Sequence, residues 1–316
     1  MYTIKQPSKI IFGKNSVNEY KFPENCLIIT SKGAKNRGWI DSLNISKSQI
    51  FDEVEANPSI TTTEKIMNEF STNNFSYIIG IGGGSSLDVA KYVSFKMNKT
   101  KYLIPTTFGS GSEVTRISVL KVNGKKRSFH DDGFFANIAI IDSSFLENTS
   151  EITRKNSFVD ACAQCTEAYD SKNSNYYTKF LCEQAFDLLE DGFISNDNEK
   201  IALGSLISGL GFGNSSTTLG HAMSYVYSNE GYSHGHALAF TTLISHKFNK
   251  SKFFTRFFSL IQKLNFENIH LKQDVVTAAE IIYEDKKHLD NNPNAITKQN
   301  ISFLLKQINE NNFDLT

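Results

Sequence analysis

The chain has 316 residues, 40% hydrophobic and 12% aromatic, which is more than one average domain and enough for a sizeable core. Lysine plus arginine and aspartate plus glutamate balance at 33 each, so no global field recruits nucleic acid or an anionic membrane. The N-terminal segment lacks the basic and apolar stretches of a signal peptide, no run of about eighteen apolar residues occurs, and the four cysteines (Cys26, Cys162, Cys165, Cys182) make no disulfide framework. These features predict a cytoplasmic protein that acts on a small molecule, with neither nucleic acid nor membrane as partner, and they leave room for a homodimer.

In the first half, short β-rich runs alternate with polar or helical stretches, the rhythm of strand–helix units around a parallel sheet. Buried strands are expected at Cys26–Thr30, Tyr77–Ile81, Lys101–Pro105 and Ile138–Asp142. The second of these runs into Gly82, Gly83, Gly84, Ser85 and Ser86 and then the start of a helix. Glycine lets backbone approach a phosphate closely, and the free amides and dipole of a helix N-terminus favour an anion. A plain strand-to-helix turn needs only one or two glycines. The spacing is not the common Gly-x-Gly-x-x-Gly fingerprint. A second glycine-bearing turn follows Ile104-Pro105 and offers the hydroxyls of Thr106, Thr107, Ser110 and Ser112. Two such turns can line opposite sides of one dinucleotide at the carboxyl edge of a parallel sheet; an ordinary Ser/Thr loop is the alternative.

From about Ser150 the texture changes to longer stretches with helical spacing. The reading is an α/β nucleotide-binding domain at 1–146 and an all-α domain at 147–316, with the crossing near Asp142-Ser-Ser-Phe145. The asparagine- and lysine-rich segment near 290–316 reads as exposed surface. Phe158–Tyr169 reads as a helix on which Asp160 and Gln164 share a face, with Glu167 one turn further along. His221 and His234 each sit in a glycine-flanked setting. A carboxylate with two imidazoles gives a divalent metal three ligands and leaves a position open for a substrate oxygen. The competing readings are N-capping for Asp160 and hydrogen-bonded packing for a lone histidine. Cys162 and Cys165 sit mid-helix without a redox context and read as packing residues.

With these pieces in order, the chain resembles the iron-containing alcohol dehydrogenase superfamily over nearly its whole length. The match rests on Gly82–Lys91, Pro105–Glu113, Asp160 followed by Glu167-Ala-Tyr169, His221, and His234-Gly235. The resemblance implies a dehydroquinate synthase-like fold with metal and nicotinamide facing each other between two domains. It assigns Gly82, Gly83, Gly84 and Ser85 to the cofactor pyrophosphate, Thr106, Thr107 and Ser110 to the cofactor's second wall, and Asp88 to the catalytic neighbourhood of nicotinamide and substrate. Asp160, His221 and His234 become ligands of Fe2+ or Zn2+.

Two positions depart from the family pattern. Gln164 stands where a fourth ligand histidine is usual, and its amide oxygen is a weaker donor. Tyr225 stands where many members carry a relay histidine, so Tyr225 or water takes that place. Thr30-Ser31-Lys32 offers no carboxylate to the adenine ribose, and with Ser31 there NADPH is tolerated beside NADH. His221-Ala-Met-Ser-Tyr225 and Gly209–Asn214 look like the phosphonoacetaldehyde reductases of phosphonate biosynthesis, whereas Arg116 looks like the branch that oxidises octulosonate sugar acids. Arg116 and Lys121 would then hold a phosphonate or carboxylate. The implied reaction is hydride transfer between NAD(P)H and a small anionic aldehyde or primary alcohol. A lyase of the dehydroquinate synthase type and a weakly active family member, suggested by Gln164 and a short C-terminal region, are the rival readings.

Overall fold

The computed structural model describes residues 1–313. Its first half carries eight strands, β1 (Lys9–Phe12), β2 (Cys26–Ile29), β3 (Ser48–Phe51), β4 (Tyr77–Gly82), β5 (Thr100–Pro105), β6 (Ile117–Val122), β7 (Lys125–His130) and β8 (Ile138–Ile141). Between them lie helices α1 (Ser16–Glu19), α2 (Lys32–Asn36), α3 (Ile60–Glu69) and α4 (Gly84–Lys96). Six strands form one parallel sheet in the order β1-β8-β5-β4-β2-β3. A parallel sheet is covered on both faces, which is why β2 and β4 are apolar runs with every residue buried. The four strands expected from the sequence are β2, β4, β5 and β8. The edge strands β1 and β3 are only partly buried, so no continuous apolar run announces them.

From β2 the chain steps outward to β3, returns across β2 to β4, and then continues on the other side to β5 and β8. This reversal puts a switch point between the carboxyl ends of β2 and β4, where sheets of this kind leave a crevice for ligands. The Thr30 hydroxyl donates to the Ile81 carbonyl at 2.6 Å across the junction. Strands β6 and β7 form a separate antiparallel hairpin in register from Ile117 opposite His130 to Val122 opposite Lys125. Its two-residue turn, Asn123-Gly124, has φ of 51° and 77°, the left-handed pair that matches strand twist. Lys91 of α4, fully buried, pairs with Asp88 at 3.1 Å and donates to the Ser112 and Ile117 carbonyls. That network clamps the hairpin onto α4.

From Glu151 onward the described secondary-structure elements are all helices. The helices are α5 (Glu151–Asp170), α6 (Tyr176–Ser195), α7 (Asn198–Phe212), α8 (Leu219–Asn229), α9 (His234–Asn249), α10 (Phe254–Leu264), α11 (Val275–Tyr283), α12 (Lys286–Asn291) and α13 (Lys298–Asn309). Helix α5 is the axis of this half and packs against α6, α7 and α9. It begins seven residues earlier than the segment read from the sequence, at Glu151 rather than Phe158, because Ser150 accepts the Thr153 amide as its N-cap. Asp160 therefore lies mid-helix and is no cap, which removes the competing structural reading of that residue. All four cysteines are free and buried, as packing residues are. Helices α6 and α10 both end on asparagines in the left-handed conformation, Asn196 and Asn265. No described helix is long and apolar enough to cross a membrane.

The two halves meet where the loop after β5 presses on the helices. A Cβ on Gly109 would lie 2.4 Å from the Ser157 carbonyl oxygen of α5, and one on Gly111 (φ +59°) 2.7 Å from Gly209 Cα of α7. Backbone meets backbone there, so neither side can yield as a flexible side chain would. Gly109→Ala is expected to lower stability by about 1–3 kcal/mol through overpacking. A urea titration checks this, and an unchanged midpoint would show that the two halves are not held in close contact at this joint.

Candidate active site

A cavity of about 240 Å³ lies between the two halves. The sheet side presents Gly84, Ser85, Asp88, Ser110 and Ser112, and the helical side presents Asp160, Gln164, His221, Tyr225, His234 and His288. Lys121 and Lys126 of the hairpin and Lys287 of α12 complete its rim.

The glycine turn is at the switch point. Gly82 has φ +146°, and a Cβ there would lie 2.7 Å from the Ser86 hydroxyl, so the close turn requires glycine. Gly83 is the N-cap of α4, which directs the helix start into the cleft. The second turn lies against the first: Thr106 N donates to the Gly82 carbonyl at 2.9 Å. Positions that a Cβ would take on Gly83 and Gly84 fall 3.3 Å from the Thr107 hydroxyl and 2.9 Å from Ser110. The structure thus brings Gly82, Gly83, Gly84, Ser85, Thr106, Thr107 and Ser110 to one edge of the sheet.

On the opposite wall, one ligand atom from each of Asp160, His221 and His234 lies within 4.8 Å of the other two. Asp160 Oδ1 is 3.8 Å from His221 Nε2 and 3.8 Å from His234 Nε2. Three donors about 2.1 Å from a tetrahedral cation sit ~3.4 Å apart, so each carboxylate–imidazole distance exceeds that spacing by only a few tenths of an ångström. Both imidazoles are aimed by their far nitrogens. His221 Nδ1 lies 3.2 Å from Glu167 Oε1, and His234 Nδ1 lies 3.4 Å from the Ser224 hydroxyl. Neither nitrogen of the buried His221 ring makes an aligned hydrogen bond, and Gln164 Oε1 is likewise buried without a partner. Buried polar atoms rarely stay unsatisfied. A carboxylate and two imidazoles with such atoms around them fit a divalent cation.

The electrostatics agree with this arrangement. Burial alone would raise the Glu167 carboxyl, but His221, His246 and the Thr218 amide outweigh it and hold it at about 2. Glu167 accepts from Thr218 N at 2.7 Å, from the Thr218 hydroxyl at 2.9 Å and from the Thr242 hydroxyl at 2.9 Å. Burial pushes the His221 imidazolium down, yet Glu167 and then Asp160 raise it to about 9. The neighbourhood of His221 is thus strongly cation-seeking. Gln164 donates through Nε2 to Asp160 Oδ1 at 2.9 Å, so its amide orients the carboxylate. Tyr225 stacks on His234 with ring centroids 6.2 Å apart and planes 8° from parallel. Burial, then Asp285 and Asp160, push its phenol well above the ordinary value.

Other residues singled out in the sequence lie differently. Asp88 lines the cavity, but Oδ1 accepts from the Ser112 hydroxyl at 2.6 Å and Oδ2 from Val119 N at 3.0 Å, so one oxygen holds the loop after β5 and the other the hairpin. Ser31 caps α2 through the Ala34 amide at the carboxyl end of β2. A carboxylate does stand beside it, contrary to the reading of Thr30-Ser31-Lys32 alone. Glu53, 22 residues later in sequence, forms a β-bridge with Ser31 and pairs with Lys65 and Lys32. Arg116 faces a neighbouring chamber and pairs with Asp132 at 2.9 Å. Sequence reading missed His288, whose ring stacks on His221 at 6.4 Å and whose Nδ1 meets Asp285 at 2.6 Å. It also missed the hairpin lysine Lys126, which the Asn123-Gly124 turn signal could have placed opposite Lys121.

A family profile described as iron-containing alcohol dehydrogenase matches residues 7–143, and the C-terminal profile of the same family matches residues 155–302. The chain belongs to the iron-containing alcohol dehydrogenase family. The 4-hydroxybutyrate dehydrogenase of Clostridium kluyveri is 30% identical over 246 residues, which span 67% of this chain and 66% of that protein. The lactaldehyde reductase of Escherichia coli is 25% identical over 74% of this chain and 69% of its own length. The aldehyde-alcohol dehydrogenase of Streptococcus pneumoniae matches at 28% over 71% of this chain, which spans only 31% of that longer protein. Among solved structures, sulfoacetaldehyde reductase from Bifidobacterium kashiwanohense in complex with NAD+ superposes with TM-score 0.89 at 23% identity, covering 98% of this chain and 99% of that one. The iron-containing alcohol dehydrogenase of Thermotoga maritima gives 0.87 at 21% identity, covering 98% and 100%. These superpositions extend the same fold over 98% of the chain.

If Glu167 sets the aim of His221, Glu167→Gln should weaken divalent metal binding roughly 10- to 100-fold, as loss of a histidine-orienting carboxylate commonly does. Competition against a chromophoric chelator measures this. Unchanged affinity would mean that His221 needs no such partner.

Proposed function

We propose that the chain is a metal-dependent oxidoreductase that moves a hydride between NAD(P)H and a small aldehyde or primary alcohol carrying an anionic group, as phosphonoacetaldehyde does. The observation that carries this reading is the meeting of Asp160, His221 and His234 with the two glycine-bearing turns across one cavity. Two relatives bear names with a short chain ending in an acid, 4-hydroxybutyrate and sulfoacetaldehyde, which is the substrate class suggested here.

A divalent cation held by Asp160, His221 and His234 would supply the Lewis acid, and the nicotinamide would supply the hydride. The chain's own residues do the rest. Gly82, Gly83, Gly84 and Ser85 admit a pyrophosphate to the start of α4, where backbone amides and the helix dipole meet it. Thr106, Thr107 and Ser110 face it from the second turn. Lys121 and Lys126 oppose each other directly across the hairpin, a like-charge pair that costs stability unless an anion lies beside it. Their place on the same cavity as Ser85 supports an anionic cofactor there. At the adenine end, Lys32 and Lys65 offset Glu53, so a 2'-phosphate is tolerated beside Ser31.

Glu167 and Ser224 lie beside Nδ1 of the two imidazoles, and Nε2 of each lies on the Asp160 side. Gln164 holds the Asp160 carboxylate in place. Because the Tyr225 phenol keeps its proton throughout the physiological range, its Oη acts as a hydrogen-bond donor toward the substrate oxygen. Asp88 holds the hairpin wall, and through it the water-excluding side of the cleft.

The test uses chelator-treated protein reconstituted with Fe(II) or Zn(II). Nicotinamide oxidation should require added metal, and Asp160→Ala should lose at least about 100-fold in turnover together with bound metal. Full turnover by metal-free protein would sink the site assignment. Absence of any net nicotinamide oxidation with a panel of aldehydes would shift the reading toward a lyase of the dehydroquinate synthase type.

A further inference from the structure

A second chamber, of about 440 Å³, opens beside the catalytic cavity. Ile117, Phe212, Ser216 and Lys287 line both, so these four residues form a neck between them. The lining of the second chamber contains Lys5, Arg116, His130 and Lys287 and no described aspartate or glutamate. In a chain whose charges balance overall, that is a marked local surplus of cation.

The cations are held in place from outside the chamber. Asp132 pairs with both Arg116 and Lys5, so one carboxylate restrains two positive side chains and leaves a net positive charge. Lys5 is tied through its backbone amide to Asn214 Oδ1 at 2.8 Å, and Asn214 returns a hydrogen bond to the Lys5 carbonyl at 3.0 Å. Lys287 has no carboxylate within 4.0 Å among the described residues. It donates instead to His130 Nε2 at 3.0 Å. Burial, then Lys287 and Arg116, depress His130 to about 4, so at neutral pH the imidazole is an acceptor that places the Lys287 ammonium without cancelling its charge. The next residue along α12, His288, stacks on His221. Lys287 thus lines the neck and, together with Asp160, His221 and His234, the main cavity as well.

We propose that this chamber is the subsite for the substrate's anionic group, with Lys287 at the neck as the specificity-determining contact and Arg116 as a supporting one. The inference rests on reading the main cavity as an aldehyde reductase site. It adds where the anionic group of that substrate goes: the carbonyl toward Asp160 and the phosphonate, sulfonate or carboxylate toward Lys287. Anions bind a fixed cation in a partly desolvated neck better than an exposed one, because less water screens the pair.

The experiment compares wild type, Lys287→Gln, Lys287→Arg and Arg116→Gln as full-length, metal-loaded protein. Two readouts are taken: the ratio of kcat/KM for phosphonoacetaldehyde over propanal, and the calorimetric affinity of the metal- and NAD+-loaded protein for 2-hydroxyethylphosphonate. Lys287→Gln should lower both the ratio and the affinity tenfold or more, chiefly through KM, with Arg116→Gln in between and Lys287→Arg largely restored. An unchanged ratio and unchanged affinity in Lys287→Gln would overturn the subsite even if propanal is reduced normally, in which case the reductase reading stands alone. A rise in the KM for NADPH instead of for the aldehyde would also overturn it, assigning the chamber to the cofactor. Loss of 2-hydroxyethylphosphonate binding in Lys287→Gln without nicotinamide turnover by wild type would support the anion subsite while the reductase reading fails.

Discussion

An ionised carboxylate sealed away from water has to be matched on every side, and Glu167 imposes that demand on the helical half. Taking a charge out of water costs several kcal/mol unless partners repay it. The partners come from two helices: the amide and hydroxyl of Thr218 and the ring of His221 from α8, and the Thr242 hydroxyl from α9. Placing α8 and α9 against α5 to satisfy Glu167 also sets the geometry of the Asp160, His221 and His234 cluster. Asp160 lies two turns earlier on α5, and the imidazoles of His221 and His234 approach it with Nε2, each 3.8 Å from Oδ1. The site is thus a consequence of how one buried charge is accommodated.

The sheet contributes the other wall by a different route. Its strand order reverses between β2 and β4, so no helix covers the carboxyl ends at that junction, and the glycine turn faces an open crevice. The loop after β5 then carries Ser110 to the helical half, where it meets Gln164. Lys91, fully buried, keeps the hairpin fixed to α4 and so keeps the cavity's third side from opening. Hydride chemistry needs a preorganised space, and these three constraints fix the walls of the cavity.

Much of this could be read from residue order alone, because the informative features were local. Three glycines after an apolar run, a Pro-Thr-Thr turn after the next, and a carboxylate and glycine-flanked histidines at family spacing each carry their meaning within a few residues. What escaped was set by tertiary structure. Glu53 reaches Ser31 only because β2 and β3 are neighbours. His288 reaches His221 only because a six-residue helix, α12, folds back over α8. Arg116 looked like a candidate contact for the catalytic cavity, and the direction of its side chain toward Asp132 depends on a hairpin that was not foreseen. Edge strands β1 and β3 stayed hidden because half-exposed strands carry no unbroken apolar signal.

The asparagines at the ends of α6 and α10 and in the β6–β7 turn belong to a wider pattern. Of the eleven described non-glycine residues with positive φ, nine are asparagine, so the residue's abundance is partly architectural rather than merely superficial. Asparagine tolerates the left-handed region through local hydrogen bonding by its amide, yet unlike glycine it keeps a Cβ that restricts the unfolded chain. Each such turn thereby limits the disorder that folding must overcome. The same choice leaves a chemical clock in the molecule: the Asn123-Gly124 peptide combines a side-chain amide with an unhindered following nitrogen, the pair most prone to cyclise to a succinimide. Ageing of the protein would then begin at the tip of the hairpin, converting a neutral turn beside two facing lysines into an acidic one.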